Sequence, residues 1–204
     1  VAFKDSYIDQ WLNQEFLPTL HDYEDYLIVD GIWQTTNGTE DISRPTGIDE
    51  ATRTVGLLNT YEYHTTYISS DGLATYSNTY LNNATYWNLM SSQSSGIVNG
   101  VVNTGGSNWS FPGNALGVRP SVNLKSNIQV FSGTGDRSNP YILEGDIQEP
   151  ENGTTLLNTR YSGEYITFNN ELYRIVGIEN NLTKITAIAK PSEFSSLAFD
   201  TSDT

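Results

Sequence analysis

Residues 164–189 constrain this chain more than any other stretch. Glu164-Tyr-Ile-Thr-Phe168, Leu172-Tyr-Arg-Ile-Val-Gly-Ile178 and Thr183-Lys-Ile-Thr-Ala-Ile-Ala189 read as strands, with tight turns at Asn169-Asn170 and Asn180-Asn181 between them. An antiparallel meander of this size has one apolar face and cannot keep it in water, so it must pack on something. The clearest partner is a helix near the start of the chain. Ser6 is placed to cap it, Asp9 sits where a carboxylate favours the positive end of the dipole, and Ile8, Trp11, Leu12, Phe16 and Leu20 recur at helical spacing. Pro18 bends or ends this helix.

The stretches between are turn-rich. Tyr26-Leu-Ile-Val29 and Thr52-Arg-Thr-Val-Gly-Leu-Leu58 read as strands, and Asn59 can cap a short helix through Tyr61, Glu62 and Tyr63. Tyr86 to Met90, Gly96 to Val102, Ser107 to Phe111 and Leu116 to Leu124 are short strands punctuated by glycine, unlike a repeated βαβ rhythm. Glu144-Gly-Asp-Ile-Gln-Glu-Pro-Glu-Asn-Gly153 is an acidic, proline-broken linker. The fold class is therefore α+β, with antiparallel strands and one main amphipathic helix.

Charge narrows the range of partners. With 10 basic and 24 acidic residues and a net charge of -14, the chain repels phosphate backbones and anionic lipid headgroups, which argues against nucleic acid as a partner. No apolar run is long enough for membrane insertion as a helix. No cysteine is present, which removes disulfides, thiolate metal sites and cysteine nucleophiles. A polar surface built from Asn, Ser, Thr, Gly and Tyr suits an extracellular or cell-surface setting.

Three strings carry a resemblance: Tyr86-Trp87-Asn-Leu-Met90, Gly117-Val-Arg-Pro-Ser-Val-Asn-Leu-Lys125, and Gly133-Thr-Gly135 with Asn139-Pro-Tyr-Ile-Leu143. Together they resemble a widespread family of Gram-positive exported domains, distantly similar to the C-type-lectin and formylglycine-generating-enzyme fold. That resemblance implies a mixed lobe with long irregular loops. In the family, a meander like Gly163-Glu-Tyr-Ile-Thr-Phe168 with Tyr173-Arg-Ile-Val176 comes first and a helix like the one around Trp11-Leu-Asn13 second. The GVRP strand comes last. The family's order corresponds to 151–204 followed by 1–150 of this chain, so the meander here stands after the closing motif, and Ser195 to Thr204 reads as a lead-in to Val1 to Asn13.

The expected organisation is a main lobe over 1–143, a linker over 144–153, and a meander over 154–204 that completes the same fold in the next repeat or a neighbouring subunit. A tandem array, strand donation between subunits and a self-closing permutation all fit this order. The expected assembly joint comprises Ile8, Trp11, Leu12 and Phe16 with Ile166, Phe168, Tyr173, Ile175 and Ile185.

The candidate chemistry is sparse. His21 and His64 lie in no metal or nucleophile motif, and an isolated histidine in a polar stretch reads as a solvated surface residue. Formylglycine-generating members use cysteine, so the resemblance does not extend that activity here. Asp22, Glu24 and Asp25, the linker acids Asp146, Glu149 and Glu151, and Asp200 with Asp203 could ligate calcium, without following a calcium-loop pattern; no other cofactor is expected. Trp11, Trp33, Trp87 and Trp109 all read first as core, and Trp109, among loop residues from Gly105 to Gly113, is the one candidate for an exposed ligand platform. Arg119 reads as structural, pairing with a carboxylate or with carbonyls.

The resulting expectation is a non-enzymatic structural subunit of an extracellular fibre or tandem-repeat surface protein. Copies of the chain would join head to tail through 154–204 and 1–20. The alternative is a lectin-like adhesion module for a glycan or cell-wall surface.

Overall fold

The structure, a computed structural model, describes residues 2–35, 44–45, 49–68, 78–94, 96–144, 155–189 and 196–201. The first helical segment begins where the Ser6 hydroxyl accepts the Asp9 N–H at 3.3 Å. It runs as α1 (Tyr7–Gln10), a wider π-type stretch (Trp11–Phe16) and a closing 3-10 turn (Leu17–Thr19) that contains Pro18. Ile8, Trp11, Leu12, Phe16 and Leu20 are all buried. Asp9 does more than face the dipole, since it is buried and both its oxygens accept from Arg53 Nε at 2.9 Å. Burial pushes the Asp9 carboxyl above its ordinary range, and Arg53 opposes that shift without cancelling it.

Two short helices follow, α2 (Tyr23–Tyr26) and α3 (Thr60–His64). The Asn59 side chain accepts the Glu62 N–H at 2.8 Å, and Glu62 accepts the Asn59 N–H at 3.0 Å, a complete capping box. The run expected as a strand over 26–29 is reduced to a bridge between Leu27 and Leu124, because the chain turns at Asp30 with φ of 51°. The strand expected over 52–58 splits at Thr54. Its first part joins a two-stranded ribbon, β1 (Gly31–Thr35) with β2 (Asp49–Arg53), and its second, β3 (Val55–Gly56), enters the main sheet.

The next strands are β4 (Trp87–Ser94), β5 (Ile97–Val101) and β6 (Ser107–Ser110), which form a three-stranded sheet, and β7 (Ala115–Leu116). Next come β8 (Ser121–Leu124), β9 (Gln129–Ser132) and β10 (Tyr141–Glu144). The meander forms as β11 (Tyr165–Phe168), β12 (Glu171–Glu179) and β13 (Leu182–Ala187). Its turns use Asn169 and Asn170 at φ of 49° and 62° and Asn180 and Asn181 at 51° and 64°. Asn tolerates this left-handed geometry, which matches the twist of the flanking strands. The main sheet has seven strands in the order β3-β8-β13-β12-β11-β10-β9.

Within this single chain the meander lies between β8 and β10. β13 runs antiparallel to β8, with Ile185 opposite Val122, and β11 runs parallel to β10, with Ile166 opposite Tyr141. All nine residues of the expected assembly joint meet in one buried cluster: Ile8, Trp11, Leu12, Phe16, Ile166, Phe168, Tyr173, Ile175 and Ile185. The cluster includes Phe199, fully buried, whose ring lies 6.4 Å from that of Phe3 and whose carbonyl accepts the Ile8 N–H at 3.0 Å. Just before it, β14 (Leu197–Ala198) pairs with β7. Of the expected linker, residues 145–153 lie outside the described residues, and Glu144 ends β10. The architecture is α+β with strands predominating. Among the described residues no helix is long and apolar enough to cross a membrane.

Candidate functional site

Two arginines from the recognisable strings organise the interior. Arg119 is fully buried and donates from Nε to the Ala187 carbonyl at 2.6 Å and from Nη1 to the Leu81 carbonyl at 2.7 Å, with its guanidinium 4.6 Å from the Trp87 ring centroid. Burial pushes its pKa down to about 9. Arg174 sits between the rings of Tyr80 at 4.8 Å and Tyr165 at 4.2 Å, and bonds the carbonyls of Gly163 and Tyr80. Among the described residues neither cation bonds a carboxylate. Carbonyls and aromatic faces hold both, an arrangement that fixes loops to the sheet. Trp87 packs edge-on against Tyr63 at 5.2 Å, in a second buried cluster with Leu58, Leu81 and Leu89.

Trp11, Trp33 and Trp87 are buried, and Trp109 is 50% exposed. Trp109 stands on β6, at the edge of the three-stranded sheet, paired across to Asn99. Two residues on, Phe111 is 52% exposed, and the two rings meet edge to face with centroids 5.5 Å apart. Polar groups frame them. The Asn108 side-chain Oδ1 accepts the Trp109 N–H at 2.8 Å, and the Asn114 side-chain amide donates to Ser110 Oγ at 3.1 Å. An aromatic pair that escapes burial beside amide and hydroxyl groups offers an apolar face and hydrogen-bonding partners within one patch.

At the start of β6 the fold brings together a pair that sequence reading missed. His64, at the end of α3, places Nε2 2.8 Å from Ser107 Oγ. Burial lowers the His64 pKa, and the two groups share a hydrogen bond whose direction follows the ring tautomer. The expectation of a solvated histidine is corrected, because α3 packs against β4 and carries His64 into contact with β6. No carboxylate bonds the other ring nitrogen among the described residues, so nothing orients the imidazole as it is oriented in a nucleophilic triad. His21 is exposed.

A groove of about 760 Å³ lies between the β1–β2 ribbon, the start of α3 and the β12–β13 hairpin. Lys184 and Glu62 form an ion pair on its wall, with Lys184 Nζ 4.3 Å from the Trp33 ring centroid. Arg44 pairs with Glu179.

Of the calcium candidates, Asp22, Glu24 and Asp25 are exposed, the linker acids and Asp203 lie outside the described residues, and Asp200 is half-buried with its N–H bonded to the Pro112 carbonyl. Among the described residues no three acidic or histidine side chains converge as a metal site.

No curated protein matches the chain, and no solved structure does. A family model does match residues 1–126, ending just after β8, so that β9 to β13, which complete the main sheet, lie beyond the match. By that match the chain belongs to the family of the domain of unknown function DUF6273.

Proposed function

We propose that this chain is a non-enzymatic, extracellular binding module of lectin-like fold that recognises glycans on a host or cell-wall surface through Trp109 and Phe111. One observation carries this reading: two large aromatic rings stand half-exposed and in mutual contact at the end of an edge strand, flanked by Asn and Ser groups. Aromatic rings pack against the C–H faces of sugars, while amides and hydroxyls bond the ring hydroxyls. Binding of the whole chain to immobilised neutral oligosaccharides provides the test. Trp109→Ala and Phe111→Ala are each expected to weaken it about tenfold, the equivalent of ~1.4 kcal/mol. If the unaltered chain binds no glycan, or if both variants bind as well as it does, the reading fails.

A second reading rests on the sheet order. Because the meander enters the main sheet between β8 and β10 as a separate, later segment of the chain, the same pairing can form between copies. This is the arrangement of a structural subunit in an extracellular fibre or tandem-repeat surface protein. Sedimentation at increasing concentration tests it: a purely monomeric chain at all concentrations removes it. The two readings are compatible.

A further inference from the structure

The groove between the β1–β2 ribbon and the β12–β13 hairpin has a floor of unusual kind. β12 pairs with β13 as far as Glu179 opposite Leu182, but with β11 only as far as Arg174 opposite Tyr165. Among the described residues, Gly177, Ile178 and Glu179 therefore have a neighbouring strand on one side only. Backbone bonds reach one residue further, from Gly163 and Glu164 to Ile175, and Ser162, next along that path, lines the same groove as Gly177, Ile178 and Glu179, so the unpaired end of β12 borders it. The ladder register slips between Ile175 and Gly177, a bulge of the kind that re-aims a strand at a rim. Among the described residues, a side chain at Gly177 would meet nothing within 4 Å. Glycine within a strand often marks a place where another backbone comes close.

The walls add side-chain chemistry. Ile32 is 65% exposed and Ile178 38%, one on each side of the groove. Its two cations are already neutralised, Lys184 by Glu62 and Arg44 by Glu179. Among the described residues Glu50 bonds only the neutral Gln34 amide, at 3.1 Å, so one carboxylate is left without a cation. A net charge of -14 draws basic partners in and pushes a second copy of the chain away.

We propose that this groove is a strand-addition site for an extended peptide segment of another polypeptide, one that carries a basic residue. The peptide backbone extends the main sheet along the free stretch of β12. Its apolar side chains rest on Ile32 and Ile178, and its basic side chain meets Glu50. Main-chain pairing supplies affinity and the side-chain contacts supply selectivity.

Fluorescence anisotropy with labelled synthetic peptides tests this on the whole chain. The probes are a short Val/Thr peptide with a central Lys, the same peptide with Glu, and the Lys peptide N-methylated at alternate amides. Saturable binding of the Lys peptide is expected, at least about tenfold weaker for the Glu peptide and abolished by N-methylation. Gly177→Leu fills the groove from open space, so it should retain the unfolding midpoint of the unaltered chain while losing peptide binding at least about tenfold; Glu50→Gln should lose the Lys-over-Glu preference. The proposal is overturned if the Lys peptide does not bind saturably, if N-methylation leaves binding intact, or if Gly177→Leu folds and binds normally. It is equally overturned if only a neutral oligosaccharide competes for the groove, or if Gly177→Leu abolishes self-association of the chain while leaving peptide binding untouched.

Discussion

Replacing Ile175 by alanine tests whether the meander seats in its own chain. Ile175 has no exposed surface, pairs with Ile185 in β13 and sits in the main buried cluster. Removing the side chain beyond Cβ forfeits about 2.4 kcal/mol of burial at ~0.8 kcal/mol per methylene-sized group. The cavity left behind in a close-packed interior brings the loss to about 3–4 kcal/mol. For a chain of this length that lowers Tm by roughly 6–16 °C. Ile178, three residues along the same strand, is 38% exposed, and its alanine variant should lose less than about 1 kcal/mol. Urea and thermal unfolding followed by tryptophan fluorescence measure both, at protein concentrations roughly a hundredfold apart. A meander closed on its own chain gives midpoints independent of concentration, whereas one seated in a neighbouring copy gives midpoints that rise with it. If the Ile175→Ala loss fell below about 1 kcal/mol or matched that of Ile178→Ala, the packing argument itself would be refuted.

Two further outcomes follow from titration. Because burial lowers the His64 pKa, the unfolded chain takes up a proton that the folded chain refuses, so stability falls as pH drops below about 6.5. Urea midpoints at neutral and mildly acidic pH should therefore separate less in His64→Gln than in the unaltered chain, and an equal separation would contradict the assignment. Burial raises the pKa of Tyr63 and Tyr173 and pushes that of Tyr80 up to about 12. The stability this represents is complete below the unfolded value near 10 and lost above it. After a jump to strongly alkaline pH, tyrosinate absorbance should rise in two phases, the slower at the rate of unfolding; a single immediate phase would show that these rings are open to solvent.

Local rules were legible where neighbours in sequence decide the geometry. The Asn-Asn turns of the meander, the Ser6 cap and the Asn59 capping box all depend on a few consecutive residues, and each forms where its sequence indicates. The loop residues around Trp109 marked it as the candidate for exposure, and the ring is half-exposed with Phe111 against it. Alternation in Thr52 to Leu58 indicated extended chain but could not reveal the switch of sheets at Thr54, because periodicity reports which residues share a face and not which strand lies beside them. The same limit hid the contact of His64 with Ser107 and the groove, whose walls come from segments far apart along the chain.

The contact between Phe199 and the first helix has a mechanical consequence. Tension applied through residues near Ala2 and Thr201 would act on two nearby points, since the Phe199 carbonyl bonds Ile8 and its ring meets Phe3. The load would first fall on that contact and on the two-residue pairing of β14 with β7, and would open them one bond at a time. The seven-stranded sheet stands outside that line of force until the tail has peeled away. A pull applied this way would meet a weak early yield, followed by a much stiffer body.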